Sequence, residues 1–338
     1  MRKRTGLQVA GMLLGALLCS GFGDPELTML IAFTDGNEAV HHYQFQPEAQ
    51  SDSELDRVVQ GGGQVAVLTA DGKRLYEADR DADQQLLVAE VDLGNKSRRQ
   101  VIKQFARIDN LRLDKKHGKL YLRVVQRDRQ NAQIAAYDLN EAKVEVWSPD
   151  ERDVSVQSFD VNPKTGDLLA WSYSLREEQV KVDEAHQMEM PVDSPPYKLT
   201  LYKAGDATQG QTVSESDKQV LDVSLSSDGQ HALYAAVQWP HEERMRYFIQ
   251  HVDLTTGNTQ SVLTEQGGGL TELKQPQYAP DGRGFYFTAA RLDEPFHTDK
   301  HGYQTRPRAL YHYDFKTKAP SVVWKREDGV LNQYLLQR

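Results

Sequence analysis

Apolar and polar residues alternate along most of this chain, and the alternation is broken at intervals by a turn that ends in glycine. The stretch KQPQYAPDGRGFYFTAARLDE (residues 274–294) shows the unit, two alternating runs around Asp281-Gly282. A period of two on either side of a glycine turn predicts a β-hairpin. The same unit recurs as VAVLTADGKRLYEADRD (65–81), LRLDKKHGKLYLRVVQ (111–126), FDVNPKTGDLLAWSYS (159–174) and VSLSSDGQHALYAAVQ (223–238). Counted by their hairpins in chain order, these are units one, two, three and four, with the first stretch as unit five.

A third alternating run follows each hairpin: LLVAEVDLGNK, AQIAAYDLNEAK, YKLTLYKAGDA, YFIQHVDLTTGN and ALYHYDFKTKA. A sixth copy, AVHHYQFQPEA (39–49), stands near the start without a full hairpin before it. Aligned at Gln44, Asp92, Asp138, Lys203, Asp253 and Asp314, the copies fall 48, 46, 65, 50 and 61 residues apart. Short fourth runs such as RRQVI, KVEVW, TQSVL and PSVVW close the units. Four strands at such a period predict propeller blades, because one four-stranded sheet cannot bury both faces without a neighbour on each side. The fold expected is all-β, a six-bladed propeller of four-stranded antiparallel blades. In the sixth unit LTMLIAFTD (27–35) supplies the second strand and AVHHYQFQ the third, so its innermost strand has to come from elsewhere. VLNQYLLQR (330–338) has no blade of its own and is expected to close the ring. Closure removes the open sheet edges that invite aggregation.

At these residues the chain resembles a known family. YAPDGRGFYFTA, LSSDGQHALYAA and LTADGKRLYEAD are similar to the WD40-like repeats of TolB-type propellers, whose core reads Ser-Pro-Asp-Gly before an alternating strand. VLTEQGGGLTELKQPQYAPDG resembles that family's passage from an outer strand, through glycines, to the next inner strand. The resemblance covers residues 27–338 and implies the fold; it says little about function. TolB proper carries an α/β domain ahead of its propeller, whereas here the first expected strand follows the leader almost directly. The resemblance therefore implies no role in the Tol-Pal envelope system.

The first residues, MRKRTGLQVAGMLLGALLCSGFGDPE, place three early cations before an uncharged apolar run. This is the layout of a signal peptide, expected over residues 1–23, with a retained anchor as the alternative and the propeller over 24–338. Cys19 is the single cysteine, and Leu17 and Leu18 before it depart from a lipobox. A chain cleaved after Cys19 has no thiol chemistry. The expected location is periplasmic or extracellular, at the cell envelope, as a monomer without a membrane span once the leader is gone. The chain carries 40 Lys and Arg against 49 Asp and Glu, a net charge of −9. That balance argues against nucleic acid and against an anionic membrane surface, whose affinities rest on Lys and Arg.

Enzyme motifs are lacking. HEERM (241–245) starts like the zinc helix His-Glu-x-x-His, but Met245 occupies the place of the second ligand. There is no Gly-x-Ser-x-Gly elbow, no Walker loop and no paired cysteine motif. DRDADQQLLVAE (79–90) spaces Asp79, Asp81 and Asp83 as an EF-hand does, with Glu90 at the twelfth place, but Gln84 stands where glycine is needed. A solvated acidic turn is the reading, with weak calcium binding as the alternative. His41 and His42 are strand neighbours, so they point to opposite faces. No cofactor and no metal are expected.

Long insertions between second and third strands mark units three (175–198), four (239–246) and five (291–309). Such loops emerge on one face of a propeller, and long loops on a rigid scaffold usually carry function. Met188, Met190, Trp239, His241, Phe296, His297, His301 and Tyr303 are the candidate binding residues, a mixture suited to protein recognition. The function expected is non-enzymatic binding of a protein or envelope component. The alternative is a saccharide- or peptide-acting lyase or hydrolase whose site lies in the central channel.

Overall fold

A computed structural model describes residues 27–58, 63–189, 192–238, 245–265, 269–298, 302 and 304–337. The chain begins with β1 (Met29–Asp35), β2 (Val40–Gln46) and β3 (Ser51–Val58). Blade one follows as β4 (Ala66–Leu68), β5 (Arg74–Arg80), β6 (Leu86–Asp92) and β7 (Arg98–Ile102). Blade two is β8 (Phe105–Asp114), β9 (Lys119–Gln126), β10 (Ala132–Asp138) and β11 (Lys143–Val146). Blade three is β12 (Val154–Val161), β13 (Leu168–Ser174), β14 (Tyr197–Tyr202) and β15 (Gly210–Ser216), with helix α1 (Leu175–Met188) inserted after β13. Blade four is β16 (Gln219–Leu225), β17 (His231–Gln238), β18 (Arg246–Asp253) and β19 (Thr259–Thr264). Blade five is β20 (Leu270–Tyr278), β21 (Gly284–Arg291), β24 (Arg308–Asp314) and β25 (Ala319–Trp324); its insertion forms the small hairpin of β22 (His297–Thr298) and β23 (Gln304–Thr305). The last strand, β26 (Gly329–Leu336), is the innermost strand of a sheet ordered β26-β1-β2-β3. The sixth blade thus joins both ends of the described chain, as the orphan unit required.

The recurring residues have local causes. The hairpin glycines Gly72, Gly118, Gly166, Gly229 and Gly282 all have φ between +64° and +77°, where a side chain is strained. In LTADG and LSSDG the hydroxyls of Thr69 and Ser226 donate to Asp71 and Asp228 at 2.6 Å and accept the N–H of Arg74 and His231. These bonds hold the first turn closed. The aspartates that align the third runs do the same for the second turn. Asp92, Asp138, Asp253 and Asp314 each accept two backbone N–H groups from the two to three residues that follow.

The core lies between blades. Leu75, Val88, Leu111, Leu120 and Leu122 pack blade one on blade two; Trp171, Leu199, Val220, Tyr234 and Val252 pack blade three on blade four. Met29, Ile31, Phe33, Leu310, Trp324 and Tyr334 join the closing blade to blade five.

The insertion of blade three is helical, where the sequence was read only as a loop. Ser174 caps it by accepting the N–H of Glu177 at 3.1 Å, Glu177 and Glu178 face the positive end, and Glu189 ends it at φ 52°. Only Ala185 of the helix is buried, so no apolar stripe announces it. The Ser174-x-x-Glu177 spacing is the one signal present. Among the described residues no helix is long and apolar enough to cross a membrane; the signal peptide expected over residues 1–23 lies outside them.

Candidate functional site

Most of the large exposed apolar side chains among the described residues lie on the side that carries the insertions. Val154 opens β12 there, Val180 and Met188 stand on α1, Val192 follows it, and Phe296 lies in the blade-five insertion. These are five of the six large exposed apolar residues among those described; Val322 on β25 is the other. Between α1 and blade four runs a groove of about 850 Å³, lined by Lys181, Val192, Glu215, Lys218, Gln238 and Gln250 among others. Its wall mixes both charges with apolar surface. The Arg306 guanidinium lies 4.2 Å from the centre of the Phe296 ring, which fixes that ring at the surface.

Of the eight candidate binding residues, Met188 and Phe296 stand exposed on this face. His297 belongs to β22, on the same insertion. Met190, Trp239, His241, His301 and Tyr303 lie outside the described residues. In the acidic turn of blade one, Asp79 and Asp81 already have partners. Asp81 accepts the N–H groups of Asp83 and Gln85 at 2.9 Å and pairs with Lys103 at 2.9 Å, while Asp79 pairs with Arg98 at 3.3 Å. Lys103 in particular holds Asp81 below its ordinary range.

The inner strands enclose a channel space of about 260 Å³, reached by Arg107, Arg112, Asp222, Gln275 and Asn332. Arg107 and Arg123 both pair with Asp109 at 2.7 Å, and Arg112 pairs with Asp160 at 2.9 Å. Asp222 differs: its carboxylate accepts the N–H of Gln275 at 3.1 Å, and enclosure by the channel wall raises its pKa above the ordinary 3.8. Enclosure likewise lowers Lys274, with Arg308 adding repulsion. The wall is strained at this point. Glu272 and Gln275 on β20 and Asn110 on β8 have φ of 50–53°, and the register of both strands shifts beside them. Bulges of this kind re-aim side chains and cluster at functional sites.

The sign of the Asp222 shift gives a test. A carboxyl whose folded pKa exceeds its unfolded value stabilises the fold below the unfolded pKa and loses that contribution as pH rises through the folded one. Asp222→Asn keeps an acceptor for Gln275 and removes the titration. The variant is expected to be more stable than wild type at about pH 7.5 and equal to it near pH 3.5. Urea midpoints at the two pH values measure this, and a less stable variant at the higher pH refutes it.

A third polar cluster lies where the closing blade meets blade one. His41 and His42 do diverge: His41 sits between Asp35 and Glu54, 3.2 Å from each, while His42 is fully buried on the other face. There His42 meets Glu77 of β5, also fully buried, and Asp56 of β3. Arg98 bonds Glu77, Asp56 and Asp79 together. Burial lowers His42 to about 4 and raises Glu77 to about 7. Sequence reasoning passed over this cluster because its members come from three different strands of two blades.

No family model matches the chain. It is 25% identical over 187 residues to the uncharacterised protein YdjN of Bacillus subtilis strain 168. The match takes in 55% of this chain and 53% of that relative, so the chain spans about half of the relative's length. TolB from Acinetobacter baumannii superposes on 93% of this chain and 67% of its own at a TM-score of 0.62, with 14% identity. A chain of a nidogen/laminin complex superposes on 92% of this chain and 98% of its own at 0.60, with 10% identity. Oligogalacturonate lyase from Vibrio parahaemolyticus superposes on 90% and 73% at 0.54, with 13% identity. At these identities the likeness establishes the fold, a TolB-like six-bladed propeller.

Proposed function

We propose that this propeller is an exported binding module that engages a protein or envelope component through the insertion face of blades three to five. The supporting observation is that five of the six large exposed apolar side chains among the described residues, Val154, Val180, Met188, Val192 and Phe296, lie on the insertion side, with Val192 lining the groove beside α1. Exposed apolar side chains concentrated on one side of a protein are where interaction sites are sought. Aromatic and Met anchors ringed by charge are the usual composition of such a site. The fold is compatible with the role, since a propeller of this shape is part of a nidogen/laminin complex. The export in this proposal is supported by the signal-peptide layout expected over residues 1–23, three early cations before an uncharged apolar run.

The test is crosslinking in producing cells, with mass spectrometry of what is captured. Wild type is compared with two variants: one with residues 291–309 replaced by a short glycine turn, the other carrying Met188→Glu and Val192→Glu. A partner captured by wild type is expected to fall at least about tenfold in either variant, as the loss of one or two interface anchors predicts. Equal capture by both variants, with their melting unchanged, overturns the proposal.

A second reading places a saccharide- or peptide-acting lyase or hydrolase in the channel. It draws on Asp222 and Lys274, both shifted toward their neutral forms beside strained backbone. The oligogalacturonate lyase of the same fold adds only an analogy. Asp222→Asn separates the two readings, because partner capture survives it and turnover in the channel does not.

A further inference from the structure

Two buried atoms at the junction of the closing blade and blade one face each other without a hydrogen bond. A carbonyl oxygen can only accept, so the 2.7 Å contact between His42 Nε2 and the Gly63 carbonyl places the ring proton on Nε2. Nδ1 is then a lone pair. It lies 3.5 Å from Glu77 Oε2, and neither atom has a hydrogen-bond partner among the described residues. Both side chains are 0% exposed. The separation is too long for an N–H···O bond, which spans about 2.7–3.2 Å. It does match the edge of a tetrahedral zinc site, where bonds of about 2.1 Å set neighbouring ligand atoms about 3.4 Å apart. A carboxylate oxygen of Asp56 completes the group, with all three ligand atoms within 4.8 Å of one another.

We propose that His42, Asp56 and Glu77 hold a divalent transition cation, with zinc as the reference ion, and that it pins the ring-closing blade to blade one. The surroundings fit a metal site. A ligating imidazole commonly donates its other N–H to a backbone carbonyl, which fixes its tautomer and orientation, and His42 does so at Gly63. Ligating carboxylates are held in turn by outer donors. Arg98 takes one oxygen of Glu77, Oε1, leaving Oε2 turned to His42, and it bonds Asp56 Oδ2 as well. Charge is compatible: ion binding requires Glu77 as the carboxylate, and in that form Asp56, Glu77 and Asp79 against the Arg98 guanidinium leave a formal two negative charges, which a divalent ion balances. Gly63 completes the cradle: its φ is +76°, and a Cβ there would stand 2.9 Å from Val58 and 3.2 Å from the His42 ring. One imidazole and two carboxylates favour zinc or cobalt over magnesium or calcium, which prefer oxygen alone.

The test uses the protein purified through chelator and titrated with Co²⁺ and Zn²⁺. One ion per chain is expected, with the visible bands of tetrahedral cobalt, displaced by zinc and unaffected by excess Mg²⁺. Zinc at about a hundred times its Kd is expected to raise the melting temperature by about 2–5 °C. Glu77→Gln and His42→Gln, whose amides preserve size and, at residue 42, a donor for Gly63, are expected to lose the bands and to bind at least about tenfold more weakly. Absence of cobalt binding by wild type overturns the proposal, and needs no variant to fold. Binding that survives in both variants overturns it equally, since the ion is then held elsewhere. A cobalt spectrum of octahedral type refutes the tetrahedral geometry on which the site is argued.

Discussion

A chain ending at residue 328 is expected to lose its cooperative unfolding transition. The removed strand pairs with β1 along its whole length, from Met29 opposite Leu336 to Asp35 opposite Gly329. It buries Leu331, Tyr334, Leu335 and Leu336, each less than a tenth exposed. At about 1.5–3 kcal/mol for each large apolar side chain, the loss is roughly 6–12 kcal/mol. That equals the whole stability of a typical domain, about 5–15 kcal/mol. Polar contacts go with it. The inner strands of neighbouring blades are linked through side-chain amides: Gln333 accepts the Ala66 N–H at 2.9 Å, Gln275 and Gln277 donate to the carbonyls of Asn332 and Tyr334 at 2.8 Å, and the Tyr334 hydroxyl donates to the Gln275 carbonyl at 2.7 Å. Removing β26 leaves buried donors without partners, at about 1–3 kcal/mol each, and opens β1 as a sheet edge. Near-UV circular dichroism through a thermal ramp measures the result, and a synthetic peptide of residues 329–337 is expected to restore the transition by adding back the strand. A truncated chain that melts within a few degrees of wild type would show that the tail is peripheral.

This dependence on a distant strand was legible because it is arithmetic on repeats. The turns are chemically self-sufficient: Asp71 and Asp228 close the first turn of their blades, and Asp92, Asp138, Asp253 and Asp314 cap the second, within a few residues of themselves. Six third strands set beside five full hairpins then left one inner strand unassigned and one tail without a blade. Other features depend on contacts that a period of two does not encode. Alternation says which face of a strand is buried, and so His42 was rightly separated from His41. It does not say which strand of the next blade the buried face meets, and the meeting of His42 with Glu77 and Asp56 is set by how two blades stack. The channel is similar, since the bulges at Glu272 and Gln275 decide how Asp222 is enclosed and no spacing predicts them. α1 escaped for the opposite reason. It is held by its cap and by Ala185 rather than by an apolar stripe, so the pattern that reveals most helices is absent.

Trp171→Ala is expected to destabilise the protein by about 3–5 kcal/mol, the usual cost of emptying a large aromatic site in a core. The residue lies on β13, is fully buried, and packs its ring against Tyr234 of the next blade with centroids 5.0 Å apart and planes at 59°. Leu199, Val220 and Ala236 belong to the same cluster, so the cavity would open between blades three and four, which are separate sheets with no strand pairing between them among the described residues. Trp171→Phe separates two contributions to that cost. The indole Nε1 is buried with no hydrogen-bond partner among the described residues. Phenylalanine keeps a ring against Tyr234 and removes this donor, whose unpaired burial costs about 1–3 kcal/mol. The loss of volume and the relief of the unpaired N–H then oppose each other, and the net change for Trp171→Phe is expected within about 2 kcal/mol of zero. Urea midpoints with unchanged m-values measure both variants. If phenylalanine is as damaging as alanine, the indole N–H is satisfied in solution and its burial is not a source of strain. If phenylalanine is nearly neutral while alanine is not, the ring contact across the blades carries the stability, and the shape of the tryptophan is retained at the expense of its donor.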